Sequence, residues 1–275
     1  MIFTLEYFIG LILIGVVAGF ASGLLGVGGG FLIVPFQYFL LESIGVDSSL
    51  AMLISLGTSL AIIIPTASSG AYRHLKVMDD ILEPGIKLGL FGIVGGVIGG
   101  LIASILPTQI LKVIFGCLLL FIAIRNLIFA NKNDSKARIQ FNLLNIAIVG
   151  TLVGISSGLL GVGGGIFLMV FLTAIFGFPM IKSIGTSSIF ISLTAVGGTI
   201  SYIISGWGVN PFPFSLGYIS LVNFICIAIF SVPLAYYGAK IAHKLPEKRL
   251  KQVFGLVVLY ISLKMLGIFP WYVWL

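Results

Sequence analysis

Long uncharged apolar runs, separated by short clusters of charged and turn residues, organise the whole chain. A bilayer core of about 30 Å takes about 20 apolar residues per helix, and reading the runs against that length predicts ten helical segments. In the first half they cover 8–26, 31–41, 48–69, 85–106 and 109–130; in the second half they cover 142–161, 166–177, 181–204, 214–240 and 247–268. The second segment of each half is too short to cross a bilayer alone, at about 16–18 Å for ~1.5 Å per residue. The predicted fold class is an all-α integral membrane protein.

Composition agrees with that reading. Of 275 residues, 59% are hydrophobic and 8% charged, against roughly 25% charged in a soluble domain. A water-soluble enzyme is excluded. The net charge of +7 forms no basic stripe on a polar domain, so no nucleic-acid partner is expected and the lipid bilayer is. Basic residues favour the cytoplasmic side. Placing the linker Asn131–Gln140 inside, with an odd number of crossings per half, leaves only Lys112 and Lys264 of the 15 basic residues outside. An even number removes the bias. The halves are therefore expected to run antiparallel in the cell (inner or plasma) membrane, with both termini outside. A re-entrant hairpin of segments one and two has the same parity as two crossings, and the count leaves both open. Segment one begins with Glu6 rather than basic residues and is followed by no small-residue cleavage site, so it is expected to stay in the mature protein. Cys117 and Cys226 fall inside spans and are expected to be buried small apolar residues, not a disulfide.

The strongest feature is a duplication. Ser22-Gly23-Leu24-Leu25-Gly26-Val27-Gly28-Gly29-Gly30 recurs letter for letter as Ser157–Gly165. Gly57-Thr58-Ser59 then matches Gly185-Thr186-Ser187, and Leu106-Pro107 matches Leu245-Pro246. The chain reads as two copies of one five-segment unit, 1–135 and 136–275, in a single membrane-embedded body. Opposite orientation makes them inverted-topology repeats, with glycine-rich breaks between segments one and two. Lipid cannot satisfy irregular backbone, so such breaks belong in protein or along a cavity. Gly28, Gly29 and Gly30, with Gly163, Gly164 and Gly165, let the backbone turn sharply and approach a ligand. The helix that follows aims N–H groups and a partial positive charge at the turn, which suits an anion. The competing reading is close helix packing; it fits Gly89, Gly92, Gly96 and Gly100, at helical intervals, better than three adjacent glycines.

The doubled S-G-x-x-G-x-G-G-G tip, the two G-T-S elements and Arg73-His74 resemble the sulfite exporter family TauE/SafE over essentially the whole chain. Ser55 and Ser183 stand where that family often has Ala. The resemblance implies an inner-membrane permease for sulfite, organosulfonates or related small anions.

All eight acidic residues lie at segment ends or in loops, and no Lys or Arg sits near the centre of a span. Intramembrane carboxylates mark cation sites and proton relays, so a carrier of that type is disfavoured. An anion would be held by neutral donors: tip N–H groups and the hydroxyls of Ser22, Thr58, Ser59, Ser157, Thr186, Ser187 and Ser188. The alternative for each hydroxyl is a bond to another helix or to its own i−4 carbonyl. Gln37 and Asn223 are polar residues in apolar spans without repeat partners. Arg73 and His74 read as a solvated interface pair. The expected function is an alternating-access exporter of small anions, the alternative a passive anion channel with the same site. No nucleophile–base pair or His/Asp/Glu cluster occurs within the spans, so neither an enzyme, a metal nor a cofactor is expected. A homo-oligomer is compatible with the sequence.

Overall fold

In the computed structural model, residues 4–128, 140–209, 212–242, 259–260 and 262–268 are described. Nine α-helices run among them: α1 (Leu5–Leu25), α2 (Gly30–Ser43), α3 (Ser48–Leu75), α4 (Leu82–Ile105), α5 (Thr108–Ile128), α6 (Leu143–Leu160), α7 (Gly165–Val170), α8 (Met180–Ser205) and α9 (Leu221–Ala242). A 3₁₀ turn, Asp79–Ile81, precedes α4, and a π turn, Phe171–Ile175, follows α7. Polar side chains start several helices by accepting orphan N–H groups. Asp47 accepts from Ser49 and Leu50 at the start of α3, and Asn142 accepts from Asn145 at the start of α6. Six helices among the described residues are long and apolar enough to cross a membrane. At ~1.5 Å per residue, α2 reaches only about 21 Å and α7 about 9 Å. The all-α membrane class holds.

Three expectations are corrected or limited. The apolar run from 214 does not begin as helix: Ser215–Leu216 pairs antiparallel with Ile219–Ser220, and α9 starts at Leu221. Phe214 and Gly217 adopt φ of 52° and 57°, left-handed values that break a helix there. Cys117 is exposed and Cys226 partly exposed, both as free thiols. Lipid is as apolar as a protein core, so a small apolar side chain gains little by turning inward. Most of the tenth segment, 247–268, lies outside the described residues; 262–265 are helical.

The helices fall into two compact units. One comprises Leu106–Asn133 with Lys244–Leu275; in it Gly116 of α5 lies against Leu266. The other comprises Met1–Ile105 with Asp134–His243 and interleaves the two halves. There α1 packs on α9 and α6 on α4; α3 packs on α9 and α8 on α4; and α3 meets α8. Exchanging the halves turns each pairing into its counterpart. The individual contacts follow the same exchange. Gly15 abuts the Ile227 carbonyl and Gly150 that of Leu88; Gly23 abuts Ala235 and Gly158 abuts Gly96. A Cβ at Gly23 would collide with the Ala235 oxygen, so these glycines let backbones touch where dispersion must hold helices together. α3 is the most enclosed of the candidate spans, and it carries Gly57-Thr58-Ser59.

Candidate functional site at two glycine tips

Each tip forms where a helix ends and a shorter one starts at once. α1 closes on Gly26, whose N–H donates to the Ser22 carbonyl at 2.9 Å; α6 closes on Gly161, bonded to the Ser157 carbonyl at 2.9 Å. Gly26, Gly28 and Gly29 take φ of 62°, 84° and 72°, and Gly161, Gly163 and Gly164 take 64°, 82° and 72°. A side chain at Gly29 would meet the Ala18 carbonyl at 2.8 Å, and one at Gly164 the Val153 carbonyl at 2.9 Å. Glycine is therefore required at both for conformation and for space. Gly29 and Gly164 begin α2 and α7 with no side-chain cap.

The two tips meet. A Cβ at Gly30 would lie 2.5 Å from the Gly161 oxygen, and one at Gly165 would lie 2.8 Å from the Gly26 oxygen. The G-T-S serines tie them crosswise: Ser59 donates its hydroxyl to the Gly161 carbonyl at 2.8 Å, and Ser187 donates to the Gly26 carbonyl at 2.7 Å. A serine hydroxyl has one hydrogen: Ser59 gives it to the opposite half's tip, and Ser187 shares it between the Gly26 carbonyl and, at 3.0 Å, the Ile184 carbonyl of its own helix. Thr58 Oγ1 accepts the Ser220 N–H at 2.9 Å. Ser22 is buried, while Ser157 Oγ and Thr186 Oγ1 are buried without a protein partner. Ser188 bonds its own helix at the Ile184 carbonyl, 3.0 Å away.

Two residues that the sequence reading passed over complete the site. Ile63 and Ile191, near the middle of α3 and α8, are fully buried between the tips. Methyl groups of Ile191 bound the space over Gly28, Gly163 and Gly165, and those of Ile63 the space over Gly28, Gly30 and Gly163. The signal was present: extending the G-T-S alignment four and seven residues pairs Ile63 with Ile191 and Thr66 with Thr194. Thr66 and Ser231 share a hydrogen bond of 2.7 Å between α3 and α9.

Neutral groups surround the tips. Among the described residues no Asp, Glu, Lys or Arg is buried. The ion pairs lie at helix ends, Lys182 with Asp80 at 2.6 Å and Lys87 with Glu83 at 2.5 Å. His74 is fully buried, which corrects the solvated pair expected with Arg73. Its Cβ stands 3.4 Å from where a Cβ of Gly185 would be: the last turn of α3 tucks under α8 where glycine leaves room. Asn223 accepts the Tyr7 hydroxyl at 2.7 Å, a bond between α1 and α9. The arrangement can present several hydrogen-bond donors to a small molecule at mid-helix depth, with no charge to neutralise.

Comparison with known proteins places these features in context. The family described as Sulfite exporter TauE/SafE matches residues 11–265. A probable membrane transporter protein of Haemophilus influenzae is 36% identical over 262 residues, covering 92% of this chain and 96% of that one. One from Methanocaldococcus jannaschii is 28% identical over 260 residues, 93% and 94% of the two chains. The probable membrane transporter protein YdhB of Bacillus subtilis is 30% identical over 246 residues, 88% and 93%. No solved structure matches the chain.

Proposed function

This chain belongs to the sulfite exporter TauE/SafE family and is a multi-pass membrane transporter of a small-molecule substrate, and we propose that it exports sulfite or short organosulfonates across the cell membrane by alternating access. In this reading the halves are inverted repeats with both termini outside, and the substrate binds where the two tips meet. The N–H groups of Gly28, Gly29, Gly30, Gly163, Gly164 and Gly165 face the anion together with the hydroxyls of Ser22, Thr58, Ser157 and Thr186. Ser59 and Ser187 hold the tips in register and become donors when the tips part.

One observation carries the proposal: the two identical tips touch at mid-length of α3 and α8, tied by reciprocal serine-to-carbonyl bonds. A membrane site for an anion without a buried cation needs convergent neutral donors, and the depth of discontinuous helices is where transporters place one. Two bonds that exchange under the swap of halves also suit a rocking motion, since breaking one set and keeping the other alters one side at a time.

The test is counterflow of sulfite and methanesulfonate in proteoliposomes. Saturable, trans-stimulated flux is expected. Flux that neither saturates nor responds to trans substrate, accompanied by single-channel currents, overturns the carrier in favour of a passive pore. Absence of flux for both anions overturns the substrate assignment.

A further inference from the structure

Gln37 lies on α2 seven residues beyond Gly30, two helical turns or about 10 Å further along and on the same face. That face is the one Gly30 turns towards the opposite tip, 2.5 Å from the Gly161 oxygen at its Cβ position. The Gln37 side chain is fully buried, and neither Oε1 nor Nε2 has a protein hydrogen-bond partner. Buried amides are almost always bonded. One that the protein leaves unbonded is satisfied by something mobile, water or a ligand.

By count the second half has an aliphatic side chain instead: Leu172, seven residues beyond Gly165, is also fully buried, in the π turn that follows α7. α2 and α3 are joined by residues 44–47 and pack on each other, which makes them antiparallel. Gly30 lies against Ile63 of α3, and seven residues back along α3 is Leu56, within a turn of Thr58 and Ser59. Gln37 is therefore level with Leu56, about a turn beyond Ser59 on the side away from the tips.

We propose that Gln37 is a further anion-contacting residue, its Nε2 hydrogens donating to an oxyanion oxygen two helical turns along α2 from the tips, at the level of Leu56, so that the two halves offer unequal routes to the shared tips. This rests on the small-oxyanion reading above. A primary amide suits that role, because it has two donors and neither gains nor loses a proton inside the membrane.

The test uses full-length Gln37→Leu beside the wild-type protein, measuring the thermal midpoint with and without sulfite or methanesulfonate, and the flux of each anion in proteoliposomes. The variant is expected to unfold at the wild-type temperature or above it. Its flux falls about tenfold or more, the usual size of a lost hydrogen bond to a charged group, and the anion no longer raises its midpoint. A midpoint below wild type overturns the inference, since the amide is then needed by the fold. Wild-type flux and wild-type response to anions overturn it as well, the amide holding no ligand. If the wild-type protein neither transports nor responds to either anion, this inference and the substrate assignment fall together.

Discussion

The two glycine tips and the groups that brace them diverge when the halves are compared. At the tips the φ angles of paired glycines agree within 2°, and the crosswise serine bonds are 2.8 and 2.7 Å. One step away the agreement ends. Thr58 accepts the Ser220 N–H from the hairpin before α9, whereas Thr186, next to the Gly185 that meets Ile81 of the 3₁₀ turn before α4, has no protein partner. Thr66 bonds Ser231, whereas Thr194, its counterpart on α8, faces Gly92 and bonds nothing in the protein. α2 is one helix of 14 residues, while α7 has six and yields to a π turn. Among the described residues every buried hydroxyl without a protein partner, on Ser157, Thr186, Thr194, Thr199 and Ser215, belongs to the second half. The duplicated sequence thus keeps geometry where the tips touch, while Thr58 and Thr66 make bonds that Thr186 and Thr194 do not.

Replacing a tip glycine breaks the shared part. Gly29→Val and Gly164→Val each force a β-branched residue to φ near 72° and drive it into a backbone carbonyl. Strain of about 1–3 kcal/mol is joined by overpacking of similar size. Both variants are expected to lose transport and to lower the thermal midpoint. Gly45, in the connection between α2 and α3, has φ of 84° but nothing within 4 Å of its Cβ position. Gly45→Val therefore bears the strain alone and is expected to keep its flux in proteoliposomes. A tolerated substitution at one tip only would show that the tips are not equivalent.

Exchanging threonine for its isostere breaks the divergent part, with a smaller effect. Thr66→Val strands the buried Ser231 hydroxyl and is expected to cost about 1–2 kcal/mol. Thr194→Val removes a hydroxyl that has no protein partner and is expected to be neutral or stabilising by up to about 1 kcal/mol. Thermal or denaturant unfolding in detergent measures both. Equal losses would mean that Thr194 is satisfied after all and that the halves are braced alike.

How much of this was legible from sequence follows from what each feature depends on. The tips were legible because nine identical residues containing three adjacent glycines specify a turn without help from elsewhere in the chain. The spans were legible from length and charge, since a bilayer sets both. The hairpin at 215–220 was not, because its residues are as apolar as a helix start and only Phe214 and Gly217 adopt left-handed angles. Nor were the bonds of Ser59 and Ser187 to the opposite tip, contacts over more than a hundred residues that no local pattern encodes. The burial of His74 and the exposure of Cys117 were hidden by the same physics. In helices apolar on every side, hydropathy does not say which face is inward.

The smallest expected effect separates the starts of α3 and α8. Asp47 accepts the Ser49 hydroxyl and the N–H groups of Ser49 and Leu50, whereas Pro179 offers α8 no side-chain cap. Those bonds, the Ser49 hydroxyl first, hold the Asp47 carboxyl below its ordinary value. A carboxylate depressed in the folded state contributes stability above its unfolded pKa, about 3.9. That contribution is lost as pH falls through the lower folded value. Wild-type protein is therefore expected to lose a little more of its thermal midpoint than Asp47→Asn between about pH 6 and pH 3, since asparagine caps without charge. The group is fully exposed, so added salt shrinks the difference. Coincident pH curves for the two proteins would mean that the carboxylate adds nothing, and that α3 begins no more firmly than α8.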